Sequence, residues 1–242
     1  MTPLKLFPTI PDELEAMDSR LALRYQNIFM KNTLIRGLNT VHEVAPQINP
    51  SHPLFQAFME YAEIVGDMVR LHLEGDEVFF ITFNGSGRSL FDILGEECNP
   101  NDFKIGDQLK ALRQVINRWQ EDQSTYVPAT LQEHIQHLNS TLSTKFWDQI
   151  NKVKSEYLVS VVSDERLRTM IQDNVIWLVT HSDMTILLPF ILSHHDSKTS
   201  AHWPSVTEEG MAAMPELLKV HEGCWKFAPF DPITKQQMAP PL

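Results

Sequence analysis

His72 and Asp76 stand four residues apart inside an apolar helical stripe, and the chain's chemistry is to be sought there. The face reads Phe58, Tyr61, Ala62, Val65, Met68, Val69, His72, Asp76, Phe79, Phe80 and Phe83, the i, i+3, i+4 spacing of a helix that buries one side. An imidazole and a carboxylate one turn apart on that face both point inward. Burying the pair is costly unless a metal, a ligand or other side chains satisfy it. A lysine interrupts a second stripe, Leu21, Tyr25, Ile28, Lys31, Ile35, Leu38, His42 and Ala45. An amine facing His72 and Asp76 would supply the charge of a cation, pair with the carboxylate, and help to activate a carbonyl or move protons. Two alternatives remain: mutual neutralisation without chemistry, and a lysine that snorkels to solvent.

The elements that must position these groups are helical almost throughout. A first helix is expected from near Pro11 to about Ala45, where Pro46 stops it, and a second from about Pro53 to Phe83, ended by Asn84-Gly-Ser-Gly. A loop carrying Gly95, Pro100 and Gly106 follows. The third helix spans about Asn101 to Gln120, and the fourth about Pro128 to Val153 with Leu131, Ile135, Leu138, Leu142, Phe146 and Ile150 inward. Four amphipathic helices with short joins predict an all-α fold, an antiparallel up-and-down four-helix bundle over 1–154. From about Ser155 a helical C-terminal extension, 155–242, is expected to pack on the bundle as one structural unit. It holds helical stretches at Asp164 to Thr180 and Met211 to Val220, and is too apolar for a free linker.

Composition narrows the function classes. With 20 basic against 31 acidic residues the formal net charge is -11, and no basic cluster interleaves with aromatics, which argues against nucleic acid and anionic membranes. The start, Met1 to Pro11, has no apolar signal core, and the longest apolar run, Ile186 to Leu192 around Pro189, is too short to span a bilayer. A cytoplasmic protein is expected, with no membrane insertion. Cys98 and Cys224 form neither a disulfide framework nor a metal motif and read as incidental thiols.

The order of several short motifs resembles the fungal hemerythrin-like proteins with an HHE domain. These are Leu34-Ile-Arg-Gly-Leu-Asn39, His72-Leu-Glu-Gly-Asp-Glu-Val-Phe-Phe80, His137-Leu138, Pro189-Phe-Ile-Leu-Ser-His-His-Asp196 and Trp225-Lys-Phe-Ala-Pro229. The resemblance implies a bundle whose inward histidines and carboxylates hold two metal ions, usually iron, through mixed nitrogen and oxygen ligands. It also implies departures. Lys31 stands where that pattern has a histidine, Asp102 and Phe103 where it has a histidine pair, Leu73 in place of an extra histidine, and Thr141 in place of a glutamate. Of the implied ligands His72, Asp76 with Glu77 beside it, and His137 remain. A protonated amine cannot ligate iron and repels a nearby cation.

Three readings follow. The first is an enzyme without a metal, using the emptied interior for a small hydrophobic biosynthetic intermediate and converting it by isomerisation, cyclisation or intramolecular cycloaddition. Lys31, His72, Asp76 and His137 would be catalytic, and Glu77, Thr141, Phe79 and Ile35 would line the substrate. The second is a non-haem iron protein using His72, Asp76 or Glu77, and His137, or a distorted pair of metals that recruits His42, His134 or His181. The third is a non-enzymatic carrier of a hydrophobic ligand. His194, His195 and Asp196 read as a helix cap or turn as readily as a catalytic motif, and Trp225-Lys-Phe-Ala-Pro as an aromatic anchor for the tail.

Overall fold

The computed structural model describes residues 4–9, 14–95, 98 and 103–241. Its helices are α1 (Ser19–Val44), α2 (Phe55–Ile81), α3 (Leu90–Leu94), α4 (Phe103–Glu121), α5 (Pro128–Lys152), α6 (Ser155–Val161), α7 (Asp164–Thr180), α8 (Met184–His194), α9 (Glu208–Val220) and α10 (Glu222–Trp225). Among the described residues there is no strand, only two isolated bridges, Phe83 with Ser89 and Phe230 with Gln237. The fold is all-α, as the periodicity predicts.

Local chemistry sets the boundaries. The carboxylate of Asp18 accepts from the Arg20 amide, so α1 begins at Ser19 after a 3-10 turn at Leu14–Ala16. The expected start near Pro11 lies outside the described residues. Pro46 converts the end of α1 into a 3-10 turn, Ala45–Gln47, because its ring nitrogen has no proton for the helix ladder. Pro128 opens α5 at a position where an absent N–H costs nothing.

The region expected to be loop contains α3. There Ser89 and Asp92 form a reciprocal capping box that nucleates a short helix, and Gly106 falls within α4 rather than in a loop. Two apolar residues of the expected inward stripes are exposed. Leu21 is in the first turn of α1, where Ala22 and Leu23 take the inner positions, and Phe83 lies beyond the end of α2, where the helical phase no longer holds. In the extension, the structure adds α6 and continues α8 through Pro189, and α9 starts at Glu208 rather than Met211.

Helix α1 packs on α2 and α5, and α4 packs on the same two, so four long helices surround one core. Leu38, Phe58, Val65, Leu138, Leu142 and Phe146 are fully buried in it. The extension joins that core: α7 lies against α1 and α2, α8 against α1, and α10 against α2, while Trp225 and Phe227 belong to the same apolar cluster as Leu34. A second cluster gathers Phe79, Phe80, Leu90, Leu158 and Met170 where α2, α3, α6 and α7 meet. No helix among the described residues is long and apolar enough to cross a membrane.

Candidate functional site

Three of these four long helices deliver one polar centre into this apolar interior. Lys31 sits in the middle of α1, His72 and Asp76 in the second half of α2, and Gln149 near the end of α5. The Lys31 Nζ donates to Asn27 Oδ1 at 3.0 Å and lies 3.4 Å from both His72 Nε2 and Asp76 Oδ2. The lysine is wholly shielded from solvent, and its Nζ stands 5.1 Å from the centroid of the Phe146 ring, which also meets the His72 imidazole edge to face.

Gln149 completes the centre. Its Nε2 donates to Asp76 Oδ2 at 2.9 Å and to the Cys98 carbonyl at 3.3 Å. Two acceptors therefore fix which end of the carboxamide faces them. The other end, Oε1, is buried with no hydrogen-bond partner among the described residues. Lys31 has no solvent exposure, whereas the side chains of His72 and Asp76 keep 7% and 12% and Asn27 is half-buried, so the centre reaches solvent at its edges and not at the amine.

The charges follow from burial and pairing. Burial drives the Lys31 amine below the ordinary lysine range, with Asp76 opposing the shift. Burial pushes the His72 imidazole down to about 4, so it is neutral at neutral pH. Burial would raise Asp76, but His72, Lys31 and the Gln149 amide together hold its carboxyl below the usual carboxylate range. The centre therefore sets an amine whose proton affinity burial weakens and Asp76 supports beside a carboxyl held in its charged form and an imidazole that is neutral at neutral pH.

Not every residue singled out in the sequence comes to this place. Ile35, one turn after Lys31, is buried in the same core, and Phe79 is buried in the neighbouring cluster. Glu77 is half-buried beside Asp76. His137 is exposed, which corrects the expectation that it faces Lys31 and His72. On α5 the buried positions are Leu131, Ile135, Leu138 and Leu142, and His137 sits one residue, or about 100°, out of that phase. It lines a shallow surface cleft with Lys104, Asp107, Gln108, Ala111 and His134. The half-buried Thr141 returns its hydroxyl to the His137 carbonyl at 3.3 Å. Phe103 is almost fully exposed, and Asp102 lies outside the described residues.

The donor set does not fit the implied iron pair. Lys31 Nζ stands against the ring nitrogen and the carboxylate oxygen that would have to ligate, and His137 faces away. The other histidines are engaged elsewhere: His42 Nε2 accepts from Gln136 at 3.0 Å, and His181 is exposed and stacks on Trp177. His134 is half-buried in the surface cleft. Among the described residues no three His, Cys, Asp or Glu side chains converge to hold a metal.

The His194-His195-Asp196 motif forms a separate polar joint. His194 is fully buried, donates from Nδ1 to the Phe190 carbonyl at 2.8 Å, and accepts the Tyr61 hydroxyl at Nε2 at 2.8 Å. Burial pushes its pKa down to about 3. Arg36 donates to the His194 carbonyl at 3.1 Å, His195 Nε2 donates to the Ser200 carbonyl at 2.8 Å, and Asp196 accepts the Lys198 amide at 3.0 Å. These bonds tie α8 and the following turn to α1 and α2.

Sequence reasoning missed Asn27 and Gln149. Asn27 is one turn before Lys31, and Gln149 is three residues after Phe146 on the inward stripe of α5, so extending either stripe by one polar step finds them. No family model matches the chain, and no curated protein or solved structure matches it either.

Proposed function

We propose that the chain is an enzyme on a hemerythrin-like, antiparallel up-and-down four-helix bundle, in which the Lys31 ammonium takes the place that a metal cation holds in such bundles. Its substrate is a small hydrophobic biosynthetic intermediate, met in the cytoplasm and converted without a metal by isomerisation, cyclisation or intramolecular cycloaddition. The closed arrangement of α1, α2, α4 and α5, in which each helix packs on two of the others, supports the bundle reading. The observation that carries the functional reading is Lys31 Nζ, fully shielded and 3.4 Å from both His72 Nε2 and Asp76 Oδ2.

Each group has a task there. A lysine ammonium in an apolar surround is a strong donor to a carbonyl oxygen on which negative charge develops. Neutral His72 accepts a proton, and Asp76 favours the charged form of the lysine against the effect of burial. Phe146 offers an apolar wall that suits a hydrophobic chain held in a reactive fold. The test is turnover of a panel of conjugated enones and dienes by wild type, Lys31→Met and His72→Ala, each assayed at a temperature where circular dichroism shows full helix. Loss of turnover in both variants is expected. Wild-type turnover in both would overturn the assignment.

A further inference from the structure

The proton count around Lys31 is unusual. An ammonium has three protons to donate, and three acceptors surround Nζ: Asn27 Oδ1 at 3.0 Å, His72 Nε2 at 3.4 Å and Asp76 Oδ2 at 3.4 Å. Only the first is within the usual hydrogen-bond range. A neutral amine needs two acceptors, so one of the two distant groups is free to take the third proton. The amine would then keep a lone pair in an apolar surround, beside the ring of Phe146. Burial acts in the same direction, lowering the proton affinity of Lys31. Gln149 adds an independent sign of a missing ligand. Its Nε2 is held by Asp76 and Cys98, and its fully buried Oε1 waits for a donor one carboxamide away from the carboxylate oxygen that Lys31 meets.

We infer that Lys31 is a covalent catalyst whose amine condenses with the carbonyl of a hydrophobic aldehyde or ketone, with His72 and Asp76 moving the protons and Gln149 accepting from the intermediate's hydroxyl. This deepens the enzyme reading above and rests on it. The steps balance. Lys31 gives one proton to His72 or Asp76, and the amine lone pair forms a bond to the carbonyl carbon. The carbonyl π electrons move to oxygen, which takes that proton back and becomes a hydroxyl facing Gln149 Oε1. A second proton, from the nitrogen through His72 or Asp76, reaches the hydroxyl, the carbon–oxygen bond breaks, and water leaves. The nitrogen lone pair completes a protonated imine. Aldehyde or ketone plus ammonium has become imine cation plus water, with no oxidant or reductant. The imine cation is an electron sink next to carbons whose protons or π electrons an isomerisation or cyclisation must move.

The test is reductive trapping of the full chain at neutral pH with formaldehyde, which any opening admits, and with hexanal, each in the presence of cyanoborohydride and followed by peptide mass mapping. The expected result is labelling of Lys31 about tenfold or more faster than exposed Lys110 or Lys219, from the larger neutral fraction of a buried amine. Lys31→Arg keeps the charge and cannot form an imine, and it should lose both the label and turnover. Labelling of Lys31 no faster than the exposed lysines with both aldehydes would overturn the inference. If turnover survives in Lys31→Arg but not in Lys31→Met, the lysine acts through its charge, and the imine fails while the enzyme reading stands. If turnover survives in both variants, the two readings fail together.

Discussion

Lys31 of α1 and Asp76 of α2 meet at 3.4 Å with the lysine sealed from water, so the ammonium has no solvent alternative to the carboxylate. Removing one member leaves the other buried without its counter-charge. Lys31→Met is expected to lower stability by about 3–5 kcal/mol, the usual result of breaking a buried pair from one side. Replacing both, Lys31→Met with Asp76→Leu, should recover stability to within about 1 kcal/mol of wild type, because desolvation of the pair offsets most of its attraction. Urea midpoints of wild type and the two variants check this. A double variant as weak as Lys31→Met would mean that the pair is not the source of the loss.

Acid should destabilise the protein well above the range in which carboxylates titrate. His72 and His194 are buried neutral, with pKa values pushed down to about 4 and about 3. As pH falls through 6.5 the unfolded chain binds protons at these positions and the folded chain does not. Stability is therefore complete above about pH 6.5 and declines toward pH 4. The loss reaches up to about 3 kcal/mol for His72, since each tenfold difference in proton affinity between folded and unfolded chain is about 1.4 kcal/mol. Asp76, held below its ordinary value, contributes in a lower window, lost only as pH falls below about 3.8. Urea midpoints at several pH values between 7 and 4.5 should fall steadily, and His72→Gln should flatten the slope. A midpoint constant over that range would contradict the buried-neutral assignment.

The depth of sequence legibility differs from residue to residue for physical reasons. Lys31, His72 and Asp76 are visible because a polar residue in a 3.6-residue apolar stripe has only one direction to face, and α1 and α2 are long enough to fix the phase. Motif order, and not helical phase, points His137 inward, and its neighbour Leu138 takes the inner position. The short helices of the extension are hidden because α8 carries Pro189 and is apolar on nearly every side, so no moment distinguishes a buried face. The 3.4 Å meeting of α1 with α2 is a tertiary fact that no single stripe encodes.

His137 supplies a control for the centre. It is exposed on the far phase of α5, and its replacement leaves no buried group without a partner. His137→Ala is expected to change stability by less than about 0.5 kcal/mol, and turnover should remain within about twofold of wild type. By contrast, His72→Ala removes a buried ring packed against Phe146 and should cost roughly 2 kcal/mol or more. Parallel melts of the two variants, with turnover measured on the same samples, separate the exposed histidine from the buried one. Equal losses would place both on the same polar network.

Two glycines should respond to the same substitution with opposite signs. A Cβ on Gly223 would come within 2.8 Å of the Ala57 Cβ, which has no rotamer through which to yield, so α10 would have to lift from α2. Gly223→Ala is expected to cost about 1–3 kcal/mol, the range for overpacking a tight helix contact. Because Trp225 and Phe227 follow directly and fill the main core, the same change should loosen the tail, read as faster amide exchange through those residues. Gly106 lies in the early part of α4 with open space where a Cβ would go. Gly106→Ala should raise stability by about 0.5 kcal/mol through the helical preference of alanine over glycine. Thermal unfolding of both variants reads the two signs, and a stabilised Gly223→Ala would show that α10 does not clamp the tail onto α2.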